Sequence, residues 1–246
     1  GQQFFTSAID FGYSKEPIET LNFWNEEKIL SDFVWIIRKF RPDIIITRFN
    51  QTPNITHGHH TASAMLADKA FNLASDPSAF PEQLKYVKIW KPKRLMWNTS
   101  RRFFNLDDYD IDKMIKIDVG VYNNKMGKSY NEIASESRSM HKSQAFGSLR
   151  RRGSEVELIV HSQGVKAEND IMDRVDTSWD RIKPNDALKS YIKQAKDSFN
   201  IDKPYQIIDY LSLAHKELNR VFDRDWRSIK KNEIKNLIKA SSGLFF

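Results

Sequence analysis

The stretch that decides the fold is Asp43-Ile44-Ile45-Ile46-Thr47-Arg48, followed after a short loop by His57-Gly58-His59-His60-Thr61. The short run of β-branched residues predicts a buried strand. Polar residues and Pro53 predict the loop, and a helix is predicted from His57 or Thr61 to about Ser75. Three of the six histidines of the chain therefore lie where a strand has ended and a helix begins.

The flanking segments predict an α/β protein. Apolar residues recur at helical spacing before the central strand, from Ile29 to Phe40. A helix, a strand and a second helix in this order are typical of a parallel sheet with flanking helices. Further strands are predicted over 93–98, 115–119 and 154–161, and a further helix over 129–146, with Ser129 and Glu132 as a capping box. In open α/β sheets, ligands bind beyond the carboxyl ends of the strands.

Composition indicates a soluble globular protein. Of the 246 residues, 40% are hydrophobic, which is enough for an apolar core, and 29% are charged, which is typical of a soluble globular protein. No apolar run approaches the roughly 18 residues that a membrane span needs, so no membrane span is expected. Because there is no cysteine, disulfides and thiolate metal sites are excluded.

The net charge of +7 permits an anionic partner. Two basic clusters, Arg101-Arg102 and Arg150-Arg151-Arg152, could contact phosphate or an acidic glycan, or could simply be solvated loops. No helix-turn-helix, zinc-finger or RNP motif accompanies them, so no nucleic acid is expected as a partner.

The histidines suggest metal or acid–base chemistry. His57 and His60 are three positions apart and would share one face of a first helical turn, whereas His59 would point elsewhere. This spacing suits one metal bound by both, or one metal ligand beside an acid–base residue. The alternative is that the histidines only cap the helix or line a polar loop. Arg48 could bind a substrate oxygen, or could form a structural salt bridge.

Several stretches together resemble the PIG-L (LmbE-like) de-N-acetylase family, and are most similar to its large bacterial members. The resemblance extends from about Phe4 to Gly153. It is carried by the order of short motifs: 40–49 (FRPDIIITRF), 57–63 (HGHHTAS), 80–84 (FPEQL), 92–98 (PKRLMWN) and 137–144 (SRSMHKSQ).

The resemblance implies a zinc-dependent hydrolase that removes acetyl from an N-acetylated amino sugar, built on a Rossmann-like parallel sheet. His60 would be a metal ligand, and His57 would polarise the acyl oxygen or protonate the leaving amine. The helix that contains His141 and Gln144 would border the cleft, which makes both residues candidates for substrate binding. Many members carry Asp where this chain has His59.

The family's first motif, His-Pro-Asp-Asp-Glu, supplies two ligands and the general base, and it does not occur in this sequence. The expectation is therefore that the first strands are missing and that a partner, the N-terminal half of the same protein or a second chain, completes the zinc site. Residues 1–163 would form the C-terminal part of the deacetylase domain and residues 164–246 a helical extension. The alternative function is a non-catalytic module that binds carbohydrate or anions, supported by the basic clusters and the aromatic segment 103–109.

Overall fold

The computed structural model of the protein describes residues 2–53, 55–99, 104–107, 109–124, 126–144 and 152–243. The chain divides into two compact units, residues 1–175 and 176–246. This division lies after Val175, later in the chain than the boundary predicted at Gly164. Each unit has an apolar core of its own.

The buried side chain of Arg94 explains why the first unit continues beyond Gly164. The guanidinium of Arg94 is 0% exposed and donates to the carbonyl oxygens of Ile171, at 2.9 Å, and of Asp173. A buried guanidinium must keep hydrogen-bond partners, since water cannot replace them. The segment that supplies these carbonyls is therefore held against the strand that contains Arg94.

The first unit combines helices with a small sheet. Its helices are α1 (Pro17–Trp24), α2 (Glu26–Phe40), α3 (Gly58–Leu73) and α4 (Tyr130–Arg138). Its strands are β1 (Ile44–Thr47), β2 (Arg94–Thr99), β3 (Ile115–Asp118), β4 (Tyr122–Asn123), β5 (Lys128–Ser129) and β6 (Val156–Gly164). Strands β4 and β5 form a separate two-stranded antiparallel ribbon.

The main sheet is mixed, with the strand order β1-β2-β6-β3. Strands β1 and β2 are parallel, as predicted, and α3 lies in the crossover between them. Strand β6 is antiparallel to both β2 and β3, so the prediction of a parallel sheet is wrong for this part. The connection from β3 to β6 starts and ends at one edge of the sheet, because Asp118 is paired with Val156. Such a return makes antiparallel neighbours, whereas parallel neighbours need a crossover.

Three strands begin or finish at one end of this sheet. Strands β1 and β2 finish there, with Thr47 opposite Trp97. Strand β6 begins there, because Leu158 pairs with Thr99 at the end of β2. The chain leaves β1 at this end and enters α3 beside it.

Helix α4 is shorter than predicted. The capping box of Ser129 and Glu132 is present, but the helix ends at Arg138 instead of continuing to residue 146. The hydroxyl of Ser139 donates to the carbonyl of Ser135 at 2.7 Å. Serine hydroxyls that bond to the backbone compete with helix formation, which accounts for the early end. His141 consequently lies beyond the helix.

The second unit is helical, and no strand occurs among its described residues. It contains α5 (Asp186–Asp197), α6 (Ile208–Glu217) and α7 (Arg224–Ser241). Their core includes Leu188, Leu211, Leu218 and Ile234, all at most 3% exposed. In the described ranges of both units, no helix has the length and apolar character to cross a membrane.

A buried arginine connects α2 to the end of α3. The side chain of Arg38 is 1% exposed. Its guanidinium donates to the side-chain oxygen of Gln83 and to five carbonyl oxygens, those of Leu73, Ala74, Asp76, Ala79 and Phe80. Two of these carbonyls, of Leu73 and Ala74, belong to the C-terminal end of α3, where a positive charge is favourable.

We predict that Arg38→Met destabilises the first unit by on the order of 3 kcal/mol or more, because it leaves several buried acceptors without a donor. The matched control is Lys39→Met, whose side chain is exposed on the same helix and should change stability by about 0.5 kcal/mol or less. Urea denaturation followed by circular dichroism measures both. Equal stability of the two variants would contradict the role assigned to Arg38.

Candidate functional site

The first turn of α3 is held against the segment that precedes α1. Helix α3 begins at Gly58, and the amide of Gly58 donates to the carbonyl of Ser14 at 2.8 Å. A Cβ at this position would lie 2.4 Å from the carbonyl oxygen of Glu16 and 2.5 Å from the hydroxyl of Ser14. Only glycine allows so close an approach, so Gly58 fixes where the neighbouring histidines lie.

The ring of His59 is packed among aromatic side chains. It stacks on Phe11, with ring centres 4.6 Å apart, and meets the edge of Trp24 at 5.4 Å. Its Nε2 is buried and has no hydrogen-bond partner among the described residues. His59 therefore lies apart from the other two histidines, as the helical spacing predicts.

His57 and His60 form a pair. Their ring centres are 5.4 Å apart and their planes differ by 27°, so the two rings lie side by side as predicted, although His57 precedes α3 as its N-cap and is not part of the first turn. His60 also stacks on Phe49, with ring centres 3.9 Å apart, and His57 meets Tyr13 edge to face at 4.7 Å. Two imidazoles that bind one tetrahedral zinc through nitrogens about 2 Å from the metal have ring centres roughly 5 Å apart. The observed spacing suits that arrangement, or one ligand with a free imidazole beside it.

The two rings differ in their exposure and charge. His57 is exposed, whereas His60 is half-buried. Burial lowers the pKa of His60 below its ordinary value, and the positive charges that His57 and His59 can carry lower it further. His60 is therefore held in the neutral form at neutral pH, which is the form that binds metals.

Arg48 follows β1 directly, and it is part of a polar cluster. Its Nη1 donates to the side-chain oxygen of Asn98 and lies 3.4 Å from Glu157 Oε2. The Nδ2 of Asn98 donates to the same carboxylate oxygen at 2.8 Å. The salt bridge considered for Arg48 is thus present, and it leaves part of the guanidinium exposed. Phe49, the next residue, connects this cluster to His60.

Asn98 and Glu157 were not identified as site residues from the sequence. Glu157 alternates with Val156 and Leu158 and has the pattern of the polar side of a half-buried strand, which carries no functional signal. Its position became visible only through the antiparallel pairing of β6 with β2. Tyr13, which lies 44 positions before His57, likewise had no local signal.

The other predicted site residues lie away from this pair or outside the described part of the chain. His141 is exposed, and no described contact brings it to His57 or His60. The side chain of Gln144 lies outside the described residues, as do Arg101, Arg102, Arg150 and Arg151. Arg152 donates to Glu132 at 2.9 Å.

The aromatic segment 103–109 is only partly a surface feature. Phe103 lies outside the described residues. Phe104 is 6% exposed and packs edge to face against Trp97, with ring centres 4.7 Å apart. Tyr109 is 39% exposed. Of the two described aromatic rings, only that of Tyr109 could therefore contact a ligand.

The metal-binding capacity of the described residues is partial. No group of three or more His, Asp or Glu side chains able to hold a metal ion occurs among them. A catalytic zinc usually takes three protein ligands. A neutral, half-buried His60 could supply one such ligand.

No protein-family model matches the chain, and no match was found among curated proteins or solved structures.

We predict that His60 titrates below its ordinary pKa of about 6.5 in the folded protein. Below about pH 6.5 the unfolded state then binds more protons than the folded state. The contribution of His60 to the free energy of unfolding is therefore complete above about pH 6.5 and is lost as the pH falls below it. His57→Ala should raise the pKa of His60, because it removes one neighbouring positive charge. Histidine-ring NMR titration measures the pKa of His60 in the wild type and in His57→Ala. A pKa of His60 that is unchanged in His57→Ala would contradict the assigned proximity.

Proposed function

We propose that this chain carries part of the active site of a zinc-dependent hydrolase that removes acetyl from an N-acetylated amino sugar. The observation that supports this most strongly is the pair of His57 and His60, which lies beyond the carboxyl end of β1 with one imidazole neutral and the other exposed. In the proposal, His60 is the metal ligand and His57 is the catalytic imidazole. This is the assignment that the likeness to PIG-L (LmbE-like) de-N-acetylases implies.

The chemistry required is hydrolysis of an amide into acetate and a free amine. Zinc, when bound, polarises the acetyl carbonyl and lowers the pKa of a water molecule towards 7. His60 would hold the metal through one nitrogen, while its stacking on Phe49 fixes the orientation of the ring. The exposed ring of His57 would stabilise the developing oxyanion or give a proton to the departing nitrogen. The general base and the remaining ligands are assigned to the partner segment, the N-terminal half of the same protein or a second chain.

We also propose that β1, α3 and β2 form part of a Rossmann-like fold, and that a further parallel strand completes its sheet. Among the described strands, β1 pairs only with β2, which leaves its other edge open. A cavity of about 430 Å³ lies beside this edge and is lined by apolar side chains that include Phe4, Phe40 and Ile45. An added strand, if parallel to β1, would end beside the histidines, since the carboxyl ends of parallel strands lie at the same end of a sheet. Its partner segment would be the N-terminal half of the same protein or a second chain.

A second candidate function is binding of carbohydrate without catalysis. The observation that favours it is the concentration of aromatic rings around the histidines, with Tyr13, Phe11 and Phe49 all in contact with an imidazole. Aromatic side chains with a few placed polar groups are typical of small-ligand sites. Zinc affinity separates this candidate from the hydrolase.

We predict that His60→Ala weakens zinc binding by about tenfold or more, because a metal ligand is lost. His57→Ala should keep the zinc affinity within about threefold, and should slow acetate release by about a hundredfold in the protein with its complete ligand set. His141→Ala, an exposed histidine away from the pair, is the control for zinc binding. Isothermal titration calorimetry measures the affinities. Unchanged zinc affinity in His60→Ala would sink the assignment.

A further inference from the structure

Three polar side chains, on or next to three neighbouring strands, meet beyond the carboxyl ends of β1 and β2, at the end of the sheet where the histidines lie. Arg48 follows β1, Asn98 belongs to β2 and Glu157 belongs to β6. Asn98 is central, because it accepts from Arg48 and donates to Glu157 at 2.8 Å and to the carbonyl of Leu158 at 3.3 Å. Since each residue is anchored to a different strand, the sheet fixes their mutual positions.

The cluster retains unused hydrogen-bonding groups. Both contacts of Arg48 use Nη1, and no described residue accepts a hydrogen bond from its Nη2 or Nε. Both contacts of Glu157 use Oε2, and no described residue donates to its Oε1. The two side chains are 48% and 31% exposed. A ligand at this end of the sheet would therefore find donors and an acceptor together, which matches a sugar hydroxyl, since a hydroxyl both donates and accepts.

The charge of the cluster is balanced. The guanidinium of Arg48 lies 3.4 Å from the carboxylate of Glu157, so a ligand meets one positive and one negative charge side by side. An anionic ligand would be attracted by Arg48 and repelled by Glu157 at nearly the same distance. A neutral polyol has no such penalty and can use both charged groups in charge-assisted hydrogen bonds.

The cluster is continuous with the histidine pair. Phe49, adjacent to Arg48 in the chain, stacks face to face on His60 at 3.9 Å, with 5° between the ring planes. Phe49 also packs against the core cluster that contains Trp97, the neighbour of Asn98. Phe49 therefore links the backbone that carries Arg48 to the ring of His60.

We propose that Arg48, Asn98 and Glu157 form a hydroxyl-binding subsite that selects a neutral N-acetylhexosamine over one that carries a phosphate or carboxylate. This inference rests on the proposed function, and it names the substrate class of that site. Arg48 and Glu157 contact the sugar, and Asn98 is a positioning residue that holds the two in register.

The test is to remove the negative charge of the subsite and to compare the binding of a neutral and an anionic sugar. Glu157→Gln keeps the size of the side chain but leaves Arg48 as an unpaired positive charge. Methyl N-acetylglucosaminide and N-acetylglucosamine 6-phosphate are the neutral and anionic probes, and NMR chemical-shift titration gives their dissociation constants. In the wild type the neutral probe should bind more tightly. In Glu157→Gln it should bind about tenfold more weakly, through loss of a charge-assisted bond, and the phosphate should bind more tightly than before.

Two further variants complete the design. Glu168→Gln is the matched control, because Glu168 forms an exposed salt bridge with Arg174 at 3.2 Å, and it should leave both affinities unchanged. Arg48→Gln should weaken both probes, and it is available should Glu157→Gln fail to fold. A wild type that binds neither probe, or that prefers the phosphate, would overturn the subsite. So would equal affinities in wild type and Glu157→Gln.

The outcome is separable from that of the proposed function. Loss of zinc binding in His60→Ala together with unchanged sugar selectivity in Glu157→Gln would leave the metal site standing and remove the subsite. Reversed sugar selectivity in Glu157→Gln together with intact zinc binding in His60→Ala would support the subsite and remove the hydrolase.

Discussion

The first turn of α3 has no space for a side chain at Gly58, because the segment before α1 lies directly on it. The amide of Gly58 donates to the carbonyl of Ser14 at 2.8 Å, and a Cβ would lie 2.4 Å from the carbonyl oxygen of Glu16. This contact brings Phe11 and Tyr13 over the histidines that flank Gly58. The different surroundings of His57 and His59 follow from it.

Three histidines within four positions thus have three environments. The ring of His59 is enclosed by Phe11 and Trp24 and has a structural place. His60 is half-buried on Phe49 and neutral, as a metal ligand must be, and His57 is exposed beside it. These two environments match the roles proposed for His60 as ligand and His57 as free imidazole, although no group of three or more possible metal ligands occurs among the described residues.

Local patterns of the sequence were sufficient for the elements that carry the histidines. A β-branched run predicted β1, helical periodicity predicted α2 and α3, and the spacing of His57 and His60 predicted that their rings lie side by side. These predictions succeeded because strand and helix periodicity are set within a few residues. The early end of α4 was missed, because serine hydroxyls that bond to the backbone are not part of an apolar pattern.

Pairing between distant segments was beyond the sequence. The antiparallel direction of β6 depends on which edge the chain returns to, and nothing in residues 156–164 specifies this. Glu157 therefore could not be placed beside Arg48 from the sequence, because the two residues are 109 positions apart in the chain. In the structure their side chains are 3.4 Å apart. The polar half of the candidate site is a product of sheet topology, whereas the imidazole half is a product of one helix turn.

The most direct measurement of the central claim is a histidine-ring nitrogen NMR spectrum with one equivalent of zinc. The account predicts a large coordination shift at one ring nitrogen of His60, a smaller change at His57, and no change at His59 or His141. A spectrum in which zinc leaves His60 unperturbed, or coordinates other histidines instead, would contradict the assignment of the α3 histidine pair as part of a metal-dependent site.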